Sequence, residues 1–179
     1  MIRHILMDEK LPMSYQMAPL PEQPVDNVNQ LAKLVWDRAV IETKREGDHA
    51  PMGIFKSEGT FVIVGMDFRP ELKDQIVTRL HQAAKDFKAQ AFAMVMTVWY
   101  LDDPSLVNQC VDHDLRPAQH IKRKEGLLVE AQGQTGEEII IGDIIRGPGE
   151  NVVEITLKDR MHNVQAQSRF AGIITRGSA

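Results

Sequence analysis

Residues 1–26 show no sustained periodicity of either kind, and Pro12, Pro19, Pro21 and Pro24 punctuate them, which predicts an extended N-terminal arm. The pattern then turns helical. In "NVNQLAKLVWDRAVIETKRE" Val28, Leu31, Val35 and Ala39 recur on one stripe, and Leu34 and Ile41 widen it. Asp26 stands where an N-cap is expected and Gly47 where the helix should stop. Two short apolar runs, "HAPMGIF" and "TFVIVGMDF", are joined by "KSEG" and read as a hairpin turning at Gly59. "PELKDQIVTRLHQAAKDFKAQ" places Pro70 in a first turn and repeats Leu72, Ile76, Leu80, Ala83, Ala84 and Phe87 at helical spacing.

The next run, "AFAMVMTVWYL", is apolar almost throughout. Such a strand is covered on both faces and central in its sheet, and it runs parallel to the preceding strand if the helix between them is a crossover. A polar connection of more than twenty residues follows. The remainder, "EGLLVEA", "EEIIIGDIIRG", "NVVEITLK" and "VQAQSRFAGII", reads as strands separated by the hairpin-length turns "QGQTG", "GPGE" and "DRMHN". The expected fold is α+β: two amphipathic helices packed on a mostly antiparallel mixed sheet that ends in a β-meander. Residues 27–179 form a single domain behind the 1–26 arm.

Composition narrows the class. With 43% hydrophobic and 26% charged residues in 179, the chain has enough apolar matter for one core without metal or disulfide staples. A net charge of -4 gives no global footprint for nucleic acid or an anionic membrane. The single cysteine, Cys110, excludes an internal disulfide and thiolate zinc sites within one chain and fits a reducing, cytoplasmic setting. No apolar run approaches the roughly 20 residues of a membrane span.

Candidate chemistry concentrates in the long connection, in "VDHDLRPAQHIKRKEG". Loops beside a buried strand commonly carry function. Asp112, His113, Asp114 and His120 are donors suited to a divalent cation or to proton transfer, and Arg116 could hold an anionic group. Their spacing matches no metal motif, so neither a metal nor a cofactor is expected, and a solvated turn accounts equally for these residues. Lys122, Arg123 and Lys124 would serve as a phosphate-binding edge only if they converged with other cations such as Arg146 and Arg176; basic residues entering a strand more often protect an edge. His49, at the mouth of the first hairpin, could approach this loop in space. "GPGE" lacks the lysine and hydroxyl of a P-loop, and Ser105 lacks a nucleophile elbow.

The succession "GDHAPMGIF", "TFVIVGMDF", an apolar strand ending in "TVWY" and then "LRPAQHIKRKEGLLVEA" resembles a group of small bacterial and phage-type proteins without an assigned function. The resemblance spans Val28 to Ala131 and rests on Trp99, Arg116, Pro117, His120, Arg123 and Glu125, with Ala118 where the pattern has serine. It implies a shared structural or binding role for this connection and no activity. The binding candidates are therefore Arg116, His120, Arg123, Glu125 and His49.

With no recognisable catalytic constellation, the leading expectation is a non-enzymatic cytoplasmic module that self-associates, most simply as a homodimer, or binds another protein. The arm and the β-branched strand edges are where subunits could pair. A rival expectation is a metal-assisted or acid–base hydrolase using His113, His120 and Asp112 or Asp114. A third is a nucleic-acid accessory protein acting through Lys122, Arg123 and Lys124.

Overall fold

The apolar run predicted to be central is the middle strand of a seven-stranded sheet in the computed structural model, which describes residues 13–19, 25–67, 69–113, 115–134, 136–162 and 172–174. The strands are β1 (Met13–Pro19), β2 (Met52–Ser57), β3 (Thr60–Met66), β4 (Ala91–Tyr100), β5 (Lys124–Gly133), β6 (Gly136–Arg146) and β7 (Val152–His162). Their spatial order is β1-β3-β2-β4-β5-β6-β7. Every pairing is antiparallel, so the sheet is not mixed. β4 lies beside β2 and runs parallel to β3 only at one remove, because the connection from β3 passes over β2.

Alternation along β4 separates two cores. Ala91, Ala93 and Val95 face α1 (Val28–Glu46), together with Leu127, Val129 and Ala131 of β5 and Ile140 and Ile144 of β6. Phe92 and Met94 face α2 (Lys73–Asp86), with Phe55, Val62, Val64, Ile76 and Leu80. One helix thus covers each face, which is why the first half of β4 carries no polar residue. α1 is capped at Asn27 rather than Asp26: the Asn27 side chain accepts the Gln30 N–H at 2.9 Å. It ends at Gly47, whose φ of 84° suits a residue without Cβ and whose N–H returns to the Thr43 carbonyl. A 3₁₀ turn, Pro70–Leu72, leads into α2.

Two sequence expectations change in detail, and a third lies largely outside the described residues. A third helix, α3 (Pro104–Asp112), forms inside the connection read as polar loop, with Asp103 as N-cap accepting the Ser105 N–H at 2.8 Å and Pro104 in the first turn. Within the 1–26 stretch, Met13–Pro19 is a strand pairing with β3 along its whole length. The last predicted strand, "VQAQSRFAGII", falls largely outside the described residues; Ile173 and Ile174 are buried on the α2 side, and the Ile173 N–H donates to Gln132 Oε1 at 3.1 Å.

β7 is interrupted twice, by register shifts opposite Ile141/Gly142 and Ile145/Arg146, and is exposed along most of its length. At the first shift Gly142 admits both the Trp36 ring from α1 and the Thr156 carbonyl of β7: a Cβ there would lie 2.6 Å from the Trp36 ring and 2.7 Å from that oxygen. No helix among the described residues is long and apolar enough to cross a membrane.

Candidate functional site

The connection between β4 and β5 is tied down at both ends and exposes apolar side chains among its polar ones. Asp102 pairs with Lys124 at the base, Cys110 is buried, and the Leu115 N–H closes on the Cys110 carbonyl at 2.8 Å. A 3₁₀ turn, Pro117–Gln119, follows, with the Arg116 N–H donating to Gln119 Oε1 at 2.8 Å. The Lys122 N–H donates to His120 Nδ1 at 3.1 Å, and the Arg123 N–H to the His120 carbonyl at 3.1 Å. α3 turns Cys110 inward and presents Val107 and Val111, four residues apart, to solvent. Val111 is 74% exposed and Ile121 is 91% exposed; with Val107, Leu115 and Trp99 they make up five of the nine large apolar side chains exposed among the described residues.

Trp99 sits at the foot of this connection. Its cross-strand neighbour on β5 is Glu125, and the Arg123 guanidinium lies 4.8 Å from the centre of its ring, a cation–π stack. Glu125 is gripped by Arg146 of β6 through two charge-assisted bonds, Nε to Oε2 at 2.6 Å and Nη2 to Oε1, while Arg146 Nη1 donates to the Glu150 carbonyl at 2.7 Å. The bond to Glu125, with the charges of Glu125, Asp48 and Glu150, raises Arg146 above its ordinary pKa against the opposing effect of burial. Next along β4 on the same face, Thr97 donates to Asp48 Oδ1 at 2.7 Å.

The structure therefore brings Arg123 and Glu125 together around Trp99, and leaves the other candidates apart. Arg116 is exposed in its turn, and His120 is half-buried with Nδ1 engaged by the backbone. Asp112 ends α3 and His113 is its C-cap; both are exposed, and Asp114 lies outside the described residues. Among the described residues no three of His, Cys, Asp and Glu are grouped to hold a metal ion. His49 is buried, with Nδ1 2.8 Å from the Ala50 carbonyl oxygen and Nε2 3.5 Å from Glu42, at a cavity beyond the end of α1. Its polar neighbours are Asp48, Ala50 and Glu42 rather than Arg116, His120 or Arg123. Strand alternation also divides the basic run: Arg123 stacks on Trp99, whereas Lys124 reaches Asp102 on the opposite face.

Two polar groupings escape sequence reasoning because their members come from different strands. On the α2 face the Tyr100 hydroxyl donates to Asp143, and Lys158 donates to that hydroxyl at 3.3 Å while lying 4.5 Å from the ring centre. Lys124 and Lys158 both pair with Asp102. Burial, the hydrogen bond to Asp143 and its charge together hold the Tyr100 phenol above its ordinary range. On the α1 face Glu138, fully buried, pairs with Arg160 and lies 3.2 Å from His162 Nδ1. The only sequence signal for either is a charge at a strand position that alternation turns inward.

No family model, curated protein or solved structure matches the chain.

Proposed function

We propose that the protein is a non-enzymatic, cytosolic binding module that docks a second copy of itself through the β4–β5 connection. The observation that carries this reading is the concentration of exposed Val107, Val111, Leu115 and Ile121 beside an exposed Trp99 stacked under Arg123. Apolar side chains on a tied-down connection cost solubility unless a partner covers them. Tryptophan and arginine are the residue types that most often dominate interface energetics. The same connection carries both signs of charge, Asp103 and Asp112 with Arg116 and Lys122, all exposed, which suits an isologous contact in which one patch faces its own copy.

Docking belongs to this connection rather than to the β7 edge. Two bulges and the charges of Glu154, Lys158, Asp159 and Arg160 are devices by which edge strands avoid pairing with other chains. Sedimentation velocity across a concentration series tests the reading, with Val111→Glu/Ile121→Glu as the variant. Wild type should pass from monomer to dimer and the variant should remain monomeric with an unchanged circular dichroism spectrum. A wild-type monomer at every concentration, or a variant that dimerises equally well, overturns the proposal.

A further inference from the structure

The β4–β5 connection carries a titratable side chain inside its own backbone bonding. His120 follows the 3₁₀ turn Pro117–Gln119 and opens the next turn, whose ends close through the Arg123 N–H and the His120 carbonyl at 3.1 Å. The ring closes the same turn from within, because the Lys122 N–H donates to His120 Nδ1 at 3.1 Å. A backbone N–H only donates, so Nδ1 offers a lone pair and the proton of the ring stands on Nε2. Protonating the ring puts an N–H on Nδ1 as well, and the bond becomes two donors facing each other. The turn held in this way presents Ile121, the most exposed large apolar side chain among the described residues, and delivers Arg123 to the Trp99 ring.

None of the charged groups nearby replaces that bond. On the two turns they are Arg116, Lys122 and Arg123, and a positive ring adds a like charge to them. β4 contributes no charged residue, and its one titratable group, Tyr100, is engaged with Asp143. On β5, Lys124 pairs with Asp102 and Glu125 with Arg146. α3 brings Asp103, which accepts the Ser105 N–H at its start, and Asp112 and His113, both exposed at its end. Among the described residues no carboxylate pairs with the His120 ring. We propose, on the reading of the β4–β5 connection as the docking surface, that His120 regulates docking by pH: the neutral ring holds the turn that presents Ile121, and protonation releases that turn and weakens the dimer.

Sedimentation velocity of the full chain at about pH 7.5 and about pH 5.5, on either side of the ordinary imidazole range, provides the test. Each protomer loses one bond, so the wild-type dimer dissociation constant should rise about tenfold or more at the lower pH. His120→Asn separates this ring from the other histidines, since the asparagine side-chain oxygen stands where Nδ1 did and accepts the same N–H at either pH. That variant should match wild type at the higher pH and keep its strength at the lower one. In dilute wild-type monomer the Lys122 amide proton reads the turn without the dimer, and its resonance should move upfield on acidification. A wild-type dissociation constant equal at both pH values, a His120→Asn variant that weakens as wild type does or never dimerises, or a Lys122 resonance that ignores pH would each overturn the proposal and leave the docking reading in place. A wild type that is monomeric at the higher pH at every concentration overturns both.

Discussion

Removing the charge of Glu125 probes the scaffold beneath Trp99. Glu125→Gln keeps the side-chain shape but leaves the Arg146 guanidinium, 24% exposed, with one neutral amide oxygen and the Glu150 carbonyl as acceptors in place of a carboxylate. At an effective dielectric near 20, opposite charges about 4 Å apart attract by about 4 kcal/mol. Desolvating Glu125, 12% exposed, and Arg146 takes back part of that. The net loss should be about 2–3 kcal/mol, below the cost of breaking a fully buried pair because both partners keep some contact with water. A double-mutant cycle with Arg146→Met isolates the pairwise part, expected at about 1.5–2.5 kcal/mol. Urea unfolding followed by far-ultraviolet circular dichroism reads it without involving either tryptophan. A coupling energy under about 0.5 kcal/mol would mean that the two residues act independently and that the pair does not organise this face.

Other substitutions test other joints. Gly142→Ala should cost about 3 kcal/mol, or roughly 6–12 °C in Tm, since the Thr156 carbonyl cannot yield as a flexible side chain could; Gly133→Ala, whose nearest neighbour would lie at 3.5 Å, should be nearly neutral, and equal melting temperatures would refute the packing argument. Tyr100→Phe should cost about 1–2 kcal/mol near neutral pH by leaving Asp143 without its phenolic donor. Because the folded-state pKa of Tyr100 is raised, its contribution is fully present below the unfolded value of about 10 and declines as pH rises above it. The difference between wild type and Tyr100→Phe should therefore shrink in alkaline urea titrations, and a pH-independent difference would contradict the linkage. Asn27→Ala should cost about 1 kcal/mol and Asp26→Ala much less, an order that thermal melts would reverse if Asp26 were the cap.

Both long helices and the central strand were legible because their signals are local. Leu31, Val35 and Ala39 on α1 and Ile76, Leu80 and Ala83 on α2 recur with the helical period and are buried in the two cores. The antiparallel seating of β4 was not legible, since its apolarity reports coverage on both faces, which helices on either side provide for any strand direction. α3 escaped for another reason. Its buried side is little more than Leu106 and Cys110, too narrow a stripe to show helical periodicity, and its other apolar residues point to solvent. Of the candidate residues, Arg123 and Glu125 could be placed because both share the face of Trp99 by strand alternation. Arg146 and the Tyr100–Asp143 contact could not, since they depend on a strand order that a single sequence does not encode locally.

The docking surface itself is most directly measured by amide hydrogen exchange at low and high protein concentration. Concentration-dependent protection confined to Val107–Arg123 and Trp99 is the predicted result. Protection appearing instead along Val152–His162, or none at any concentration, would contradict the assignment of the β4–β5 connection as the surface that meets a second copy.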